Sequence, residues 1–394
     1  MSRMHRFPSL FLLAAALAAS PALCTVCAAA GQPAAGKPAA ASTASPATPA
    51  ASTPLISLLL PLDSPDFAPL ASAVQAGCDA AFSLQPVRPR LEIARTDASA
   101  ARVIDAWDAA AKRGANVIIG PITRLTVSAL AKALLSRASS SSSPAPLTLT
   151  LNAPDEATAL PPRFYTFGLS VEQEARAIAR TAWVEGQRTA IVVQHRGALE
   201  LRASRAFADD WLAYGGRIID VRDFDAASNL EALRGQLARS GADLLFLAAS
   251  AGEARRVRPY LNNQIPVYAT SQVNDGRLDP GANVDLTGIR FVDMPWLLEP
   301  DHAAVMVYPR QESLSPDLQR FYALGIDACR IAELMLTGRN RIEIDGVTGR
   351  LILIMQDTAP VALRAVLREP ALASFRDSSM LAPPAEPAAK PPAQ

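Results

Sequence analysis

Histidine, aromatic side chains and charge are all scarce in this chain, and each scarcity removes a class of function. Only 3 of 394 residues are histidine, 6% are aromatic and 19% are charged. There is no H-E-x-x-H pair, no G-x-x-x-x-G-K-[ST] phosphate loop, no G-x-G-x-x-G fingerprint and no G-x-S-x-G elbow. Zinc-protease, nucleotide-binding and serine-hydrolase chemistry of the common kinds therefore finds no motif here. A C-x-x-C occurs once, at Cys24 and Cys27, inside the apolar N-terminal stretch, where it reads as composition rather than as a metal or redox site. The sequence points to no cofactor, no metal and no catalytic residue.

What is present begins with a leader. Arg3, His5 and Arg6 form a basic n-region before the apolar run Leu10 to Ala19, and small residues then reach Ala28-Ala29-Ala30. That order marks an exported chain with a signal peptide over 1–30, and the apolar run is shorter than the ~20 residues that a permanent span needs. Lipidation at Cys27 or Cys24 is weakly supported, because Cys27 follows Val26 and Cys24 follows Leu23 rather than a small residue. Removing Arg3 and Arg6 from the 38 basic residues leaves 36 against 37 acidic ones, without a basic run. Nucleic acid is thus not an expected partner.

Residues 31–54 and 382–394 are Pro/Ala-rich tracts that cannot bury enough apolar surface to offset their ordering entropy. They read as a disordered tether and tail. Between them, short apolar runs such as Leu55–Leu60, Asn116–Ile119, Leu147–Leu151, Thr189–Val193 and Leu244–Ala248 alternate with helical spacing. Helices are expected over Ala68–Leu84, Ala100–Arg113, Leu125–Leu135, Val171–Glu185, Ala203–Tyr214, Asn229–Arg239 and Asp317–Leu336. Gly114, Gly186 and Gly241 stand where C-caps belong. Strands alternating with helices of this length imply parallel sheets. Two such series imply an α/β protein with two doubly wound lobes over 55–381. Lobe 1 is expected over about 55–165 and 275–340, and lobe 2 over about 166–274 and 341–370. The serine run Ser139–Ser143 reads as a solvated loop insertion. Cys78 and Cys329 fall on separate predicted helices; they can pair in an oxidising compartment, but cysteines so placed read first as buried apolar fillers.

Ligands of two-lobed α/β proteins bind at the carboxyl ends of the strands. Those ends carry Asp63, Ser64, Gly120, Pro121, Thr123 and Asn152 in the first series and His195, Arg196 and Ser250 in the second. Ser271 and Asn274 follow a strand at an expected crossover. Trp296 is more unusual, since Met294-Pro295-Trp296-Leu297 sits directly after a strand. It reads as core that plugs the hinge or the cleft, and a cleft filled by its own tryptophan is a poor small-molecule site.

Several stretches together resemble the penicillin-binding-protein activator family, the LppC-type lipoproteins, over about residues 55 to 360. They are Ile119-Gly120-Pro121, Leu151-Asn152, Phe167-Gly168-Leu169-Ser170, Tyr268-Ala269-Thr270-Ser271, Ala323-Leu324-Gly325-Ile326-Asp327-Ala328 and Gly346-Val347-Thr348-Gly349. The most specific is Phe291-Val292-Asp293-Met294-Pro295-Trp296-Leu297-Leu298. The resemblance implies a type I periplasmic-binding-protein-like fold and a non-enzymatic regulator that stimulates a bifunctional peptidoglycan synthase by direct contact. Peptidoglycan is a further potential partner, and the place of action is the periplasm, at the inner face of the outer membrane if the chain is lipidated. Larger members carry an N-terminal helical-repeat domain; here the Pro/Ala tract stands in its place. The alternative is a periplasmic solute-binding protein for amino acids or similar small molecules.

Overall fold

A computed structural model describes residues 53–381 apart from 138–143, 155–158, 262–263, 278–279, 357–363 and 377–378. The expected signal peptide, almost all of the expected tether, the serine run, the expected tail, Cys24 and Cys27 lie outside the described residues.

The first sheet has the order β2-β1-β3-β4-β5, with every neighbouring pair parallel. Its strands are β1 (Leu55–Leu60), β2 (Arg90–Arg95), β3 (Val117–Ile119), β4 (Leu147–Thr150) and β5 (Phe164–Thr166), joined through α1 (Ala68–Ser83), α2 (Ala100–Lys112) and α3 (Arg124–Arg137). All six residues of β1 are buried, as a parallel strand covered on both faces requires. Ile56, Leu58 and Leu60 face one apolar cluster, and Leu55 and Leu59 face another.

The second sheet runs β15-β14-β10-β9-β8-β6-β7. Its parallel strands are β6 (Thr189–His195), β7 (Arg217–Phe224), β8 (Leu244–Ala248), β9 (Val267–Ala269) and β10 (Ile289–Asp293). They alternate with α4 (Val171–Val184), α5 (Ala198–Ala213), α6 (Leu230–Leu237) and α7 (Ala251–Val257), and α8 (Pro280–Asn283) precedes β10. Two further short helices, α9 (Pro295–Leu298) and α10 (Ala303–Met306), lead into α11 (Pro316–Met335). A three-stranded antiparallel sheet follows, formed by β11 (Arg341–Gly346), β12 (Gly349–Ile354) and β13 (Leu367–Glu369). β14 (Ala371–Arg376) and β15 (Ser379–Leu381) then close the second sheet in antiparallel fashion.

The two doubly wound sheets are those the alternation predicted, but the chain divides between them differently. β10 was expected in lobe 1, yet it pairs with β9, which buries Ile289 and Phe291 in the core of the second sheet. β11 and β12 were expected in lobe 2, yet Ile342, Leu351 and Leu353 join the cluster that holds Ile56, Leu58 and Met335. The spacing also hid β5, β13 and β15, each three residues long and too short to display a period. α5 starts five residues before the expected Ala203, at Ala198 behind its N-cap Gly197.

α1 and α11 cross at two glycines. A Cβ on Gly77 would lie 2.0 Å from the Tyr322 carbonyl oxygen, and one on Gly325 would lie 2.1 Å from that of Val74. This close approach brings the neighbouring Cys78 and Cys329 to a Cα–Cα distance of 5.4 Å, and they form a disulfide. The reading of both cysteines as unpaired fillers is thereby corrected. Helix periodicity shows that each cysteine points inward, but only the glycine contact shows that they point at each other. Gly77→Ala is expected to destabilise the protein by about 1–3 kcal/mol through overpacking. A shift in the urea midpoint measures this, and an unchanged midpoint would show that the helices can separate freely.

Candidate functional site

The chain passes between the lobes three times, after β5, after β10 and after β13. Ion pairs with almost no solvent contact gather at these crossings. Asp293, at the end of β10, and Arg320, on α11, are 2.6 Å apart with side chains 1% and 9% exposed. The Arg320 guanidinium also donates to the carbonyls of Asn274 (2.8 Å) and Ser271 (3.4 Å). The Asn274 amide donates to the Asp293 carboxylate at 2.9 Å, and the Met294 N–H donates to it at 2.8 Å. Burial works against the charge on Arg320, but Asp293 beside it, together with Asp317 and Glu174, outweighs burial and raises its pKa.

A second pair stands next to the first. Arg368, on β13, donates to Glu174, on α4, at 2.6 Å. The other Glu174 oxygen accepts the Ser271 N–H at 3.0 Å. Glu174 occupies the buried stripe of α4 with Val171, Ala175 and Ile178, so the helix itself aims the carboxylate inward. Buried charges persist only when paired and hydrogen-bonded, and both pairs meet that condition. Together they tie α4, β9, β10, α11 and β13 into one joint.

Two small cavities share one wall, the first between the lobes and the second on the first-sheet side. One, of about 270 Å³, is lined by Leu169, Val171, Leu199, Met294 and Phe321, together with Glu174, Ser271, Gln272, Asp317 and Arg320. The other, of about 260 Å³, is lined by Phe67, Leu70, Ile122, Thr123, Arg124, Asn152 and Phe321. Phe321 is the wall common to both.

The strand-end residues read from the sequence fall into three groups. Thr123 and Asn152 line the cavity beside the first sheet, while Ser271 lines the other. Even so, the Thr123 hydroxyl caps the start of α3 at the Thr126 N–H, and the Asn152 amide donates to the Ile122 carbonyl at 3.1 Å. Asn274 belongs to the Asp293–Arg320 joint.

A second group serves the backbone. The Ser64 carbonyl accepts the Ala68 N–H at 2.7 Å, and Asp63 pairs with Arg95 at 2.8 Å in solvent. Gly120 has φ +106°, and a Cβ there would meet the Leu59 carbonyl at 2.2 Å. The next residue, Pro121, follows a cis peptide bond and accepts the Leu151 N–H at 2.9 Å.

The third group stands at the end of the second sheet and lines neither cavity. His195 Nδ1 lies 2.9 Å from the Glu253 carboxylate, and Ser250 and Glu253 form the capping box of α7. Arg196 lies 3.4 Å from Asp223 and 3.3 Å from Asp225.

Trp296 does not plug the cleft. It is fully buried in the cluster around α11, tilted against Tyr322 at 5.3 Å, with its indole N–H donating to Gln319 at 3.2 Å and its carbonyl accepting from Arg310. Pro295 starts a short helix that turns the indole towards α11, so the inference drawn from a tryptophan-filled cleft is withdrawn. The sequence reading overlooked Glu174, Arg320 and Arg368. The available signal was a charged residue at a buried helical position, most plainly Glu174.

Among the described residues, no group of three or more His, Cys, Asp and Glu side chains could hold a metal, and no helix is long and apolar enough to cross a membrane.

The family model described as "LppC putative lipoprotein" matches residues 47–359. A penicillin-binding protein activator LpoA from Edwardsiella ictaluri is 27% identical over 337 residues, covering 74% of this chain and 48% of the relative. The Haemophilus influenzae protein of the same name is 25% identical over 282 residues, covering 69% and 46%. The chain thus spans about half the length of these relatives. Among solved structures, one titled as a "putative branched-chain amino acid ABC transporter" from Chromobacterium violaceum is 34% identical, with TM-score 0.66 and coverage of 82% of this chain and 99% of that one. The LpoA C-domain from H. influenzae, titled "a regulator of PBP1A", has TM-score 0.67 at 22% identity, covering 84% of this chain and all of that one. At that identity the likeness concerns the fold, which is type I periplasmic-binding-protein-like.

Proposed function

The chain belongs to the LppC putative lipoprotein family, and from that premise we propose that it regulates a penicillin-binding protein by direct contact in the periplasm, without catalysing a reaction itself. The partner is a bifunctional peptidoglycan synthase, and the site of action is the inner face of the outer membrane. The observation that carries this reading is how the cleft uses its charges. Arg320 is spent on Asp293, and Glu174 on Arg368 and the Ser271 N–H. The cavity beside this joint, at about 270 Å³, falls below the ~300–1,000 Å³ usual for small-molecule sites; the larger space on its flank, about 620 Å³, is lined by four arginines with Glu172 and Asp210 rather than by a mostly apolar wall. A binding-protein frame whose joint is locked by its own ion pairs suits a surface that another protein reads. The relatives named as penicillin-binding protein activators support the same reading.

A pull-down with the cognate synthase, followed by a glycan-polymerisation assay, tests it. Binding and a faster rate are expected; neither binding nor stimulation sinks it. The solute-binding reading keeps one specific support, the 34% identity to the Chromobacterium violaceum structure. Thermal unfolding with branched-chain and other amino acids separates the two. A bound ligand at 100 times its dissociation constant stabilises by about 2.7 kcal/mol, and the regulator reading expects no shift.

A further inference from the structure

On the flank of the interlobe boundary, Arg124, Arg176, Arg180 and Arg368 line a groove of about 620 Å³ whose wall also holds Glu172 and Asp210. Two more carboxylates, Glu369 and Glu174, pair with Arg180 and Arg368 from outside that lining. Arg176 and Arg180 are one turn apart on α4 and share a face. With Gln173 they form a stripe about 10 Å long at 1.5 Å per residue. Both arginines are open to solvent, 48% and 44% exposed.

The carboxylates that face these cations stand back from them. Arg124–Glu172 and Arg176–Asp210 are each 3.5 Å, and Arg180–Glu369 is 3.4 Å. A charge-assisted hydrogen bond closes to about 2.7–2.9 Å, so the Arg176 and Arg180 pairs are loose and a ligand carboxylate can replace them at little cost. Arg368 is different. It is 1% exposed, donates to Glu174 and to the Thr348 carbonyl, and keeps an Nε–H without a partner. The Gln173 carbonyl oxygen on the same wall also has no partner. Tyr214, 37% exposed, adds an aromatic face.

We propose that this groove binds a short peptide carrying at least two free carboxylates, the chemistry of the stem peptides of peptidoglycan. The spacing of the arginines along α4 favours two separated carboxylates over one compact anion, and the volume lies within the range of a small-molecule site. Glu172 and Asp210 make the groove a poor track for a nucleic-acid backbone. The need for carboxylates comes from the arginines alone, whereas the choice of a wall peptide rests on the synthase reading above.

Calorimetric titration of the full chain with a purified disaccharide-peptide monomer tests the assignment, with the peptide-free disaccharide and triglutamate as comparison probes. The monomer is expected to bind, more weakly as salt is raised, and about tenfold or more weakly to Arg176→Gln/Arg180→Gln. The peptide-free disaccharide is expected not to bind. The double variant alters only solvent-exposed pairs, so its unfolding midpoint should match that of the parent. Failure of the monomer to bind, or equal binding by the variant, overturns the groove assignment. Triglutamate binding as tightly as the monomer overturns the choice of a wall peptide. Synthase stimulation is measured on the same preparations. Stimulation without monomer binding refutes the groove alone, and monomer binding without stimulation refutes the regulator reading alone.

Discussion

Replacing Cys78 and Cys329 together with alanine is expected to lower the unfolding free energy by about 3–5 kcal/mol. The bond joins positions 251 residues apart in sequence, so in the reduced chain the unfolded state regains the entropy of a loop that spans most of both sheets. Chain-entropy reasoning puts that term near the upper end of what disulfides contribute, about 5 kcal/mol. The alanine pair also removes two fully buried sulfur atoms from the α1–α11 contact, which adds a packing loss of the same sign. Urea unfolding of the variant and of the parent protein, with and without reductant, measures the effect. The reduced parent should fall close to the variant. If reductant leaves the parent's midpoint where it was, the bond either is absent in solution or contributes nothing. Because the bond ties α1 of the first sheet to the helix that follows the second crossing, the reduced protein should also be more open to proteolysis in the segment that joins β10 to α11.

Breaking the Asp293–Arg320 pair is the second large expected effect. Arg320→Met keeps an apolar stem on α11 but leaves the fully buried Asp293 carboxylate with only the Asn274 amide and the Met294 N–H. An uncompensated buried charge costs about 3–5 kcal/mol. The paired substitution Arg320→Met/Asp293→Leu should recover much of that loss, because replacing both ions by apolar groups of similar volume is often neutral. A double-mutant cycle on urea midpoints separates the pair from its surroundings. Equal destabilisation by the single and double variants would show that packing, not charge, sets the cost. The carbonyls of Ser271 and Asn274 also lose a donor in Arg320→Met, so the single variant should loosen the joint between the lobes. Under the regulator function proposed above, synthase stimulation by the single variant should then fall further than by the double one.

Some of this organisation was readable along the chain and some was not. β1, β6 and β8 announce themselves as continuous apolar runs, and α2 and α4 end before Gly114 and Gly186, where positive φ values of +84° and +96° follow. Three-residue strands such as β5 and β13 show no period, and only their pairing partners identify them. The strand-end residues divide according to where the packed chain puts them. Thr123, Asn152 and Ser271 line the two small cavities, whereas Ser250, His195 and Arg196 are engaged with Glu253, Asp223 and Asp225 at the end of the second sheet. Trp296 was recognisable as unusual, but its direction is set by the turn at the adjacent Pro295 and by Gln319 and Tyr322 on α11, and those two are not near it in sequence.

Composition and periodicity by themselves determined the α/β class and the two parallel series, and short stretches carried the family resemblance, because each is written in residues close together along the chain. The tertiary structure alone decided the Cys78–Cys329 bond, the assignment of β10 to the second sheet, the Asp293–Arg320 and Glu174–Arg368 joint, and the arginine-lined flank. Each of those depends on residues brought together across long stretches of chain, from the 22 positions between Ile289 and Val267 to the 251 between the two cysteines. Local pattern fixes which way a side chain faces on its own helix or strand. What it meets there is a property of the packed chain.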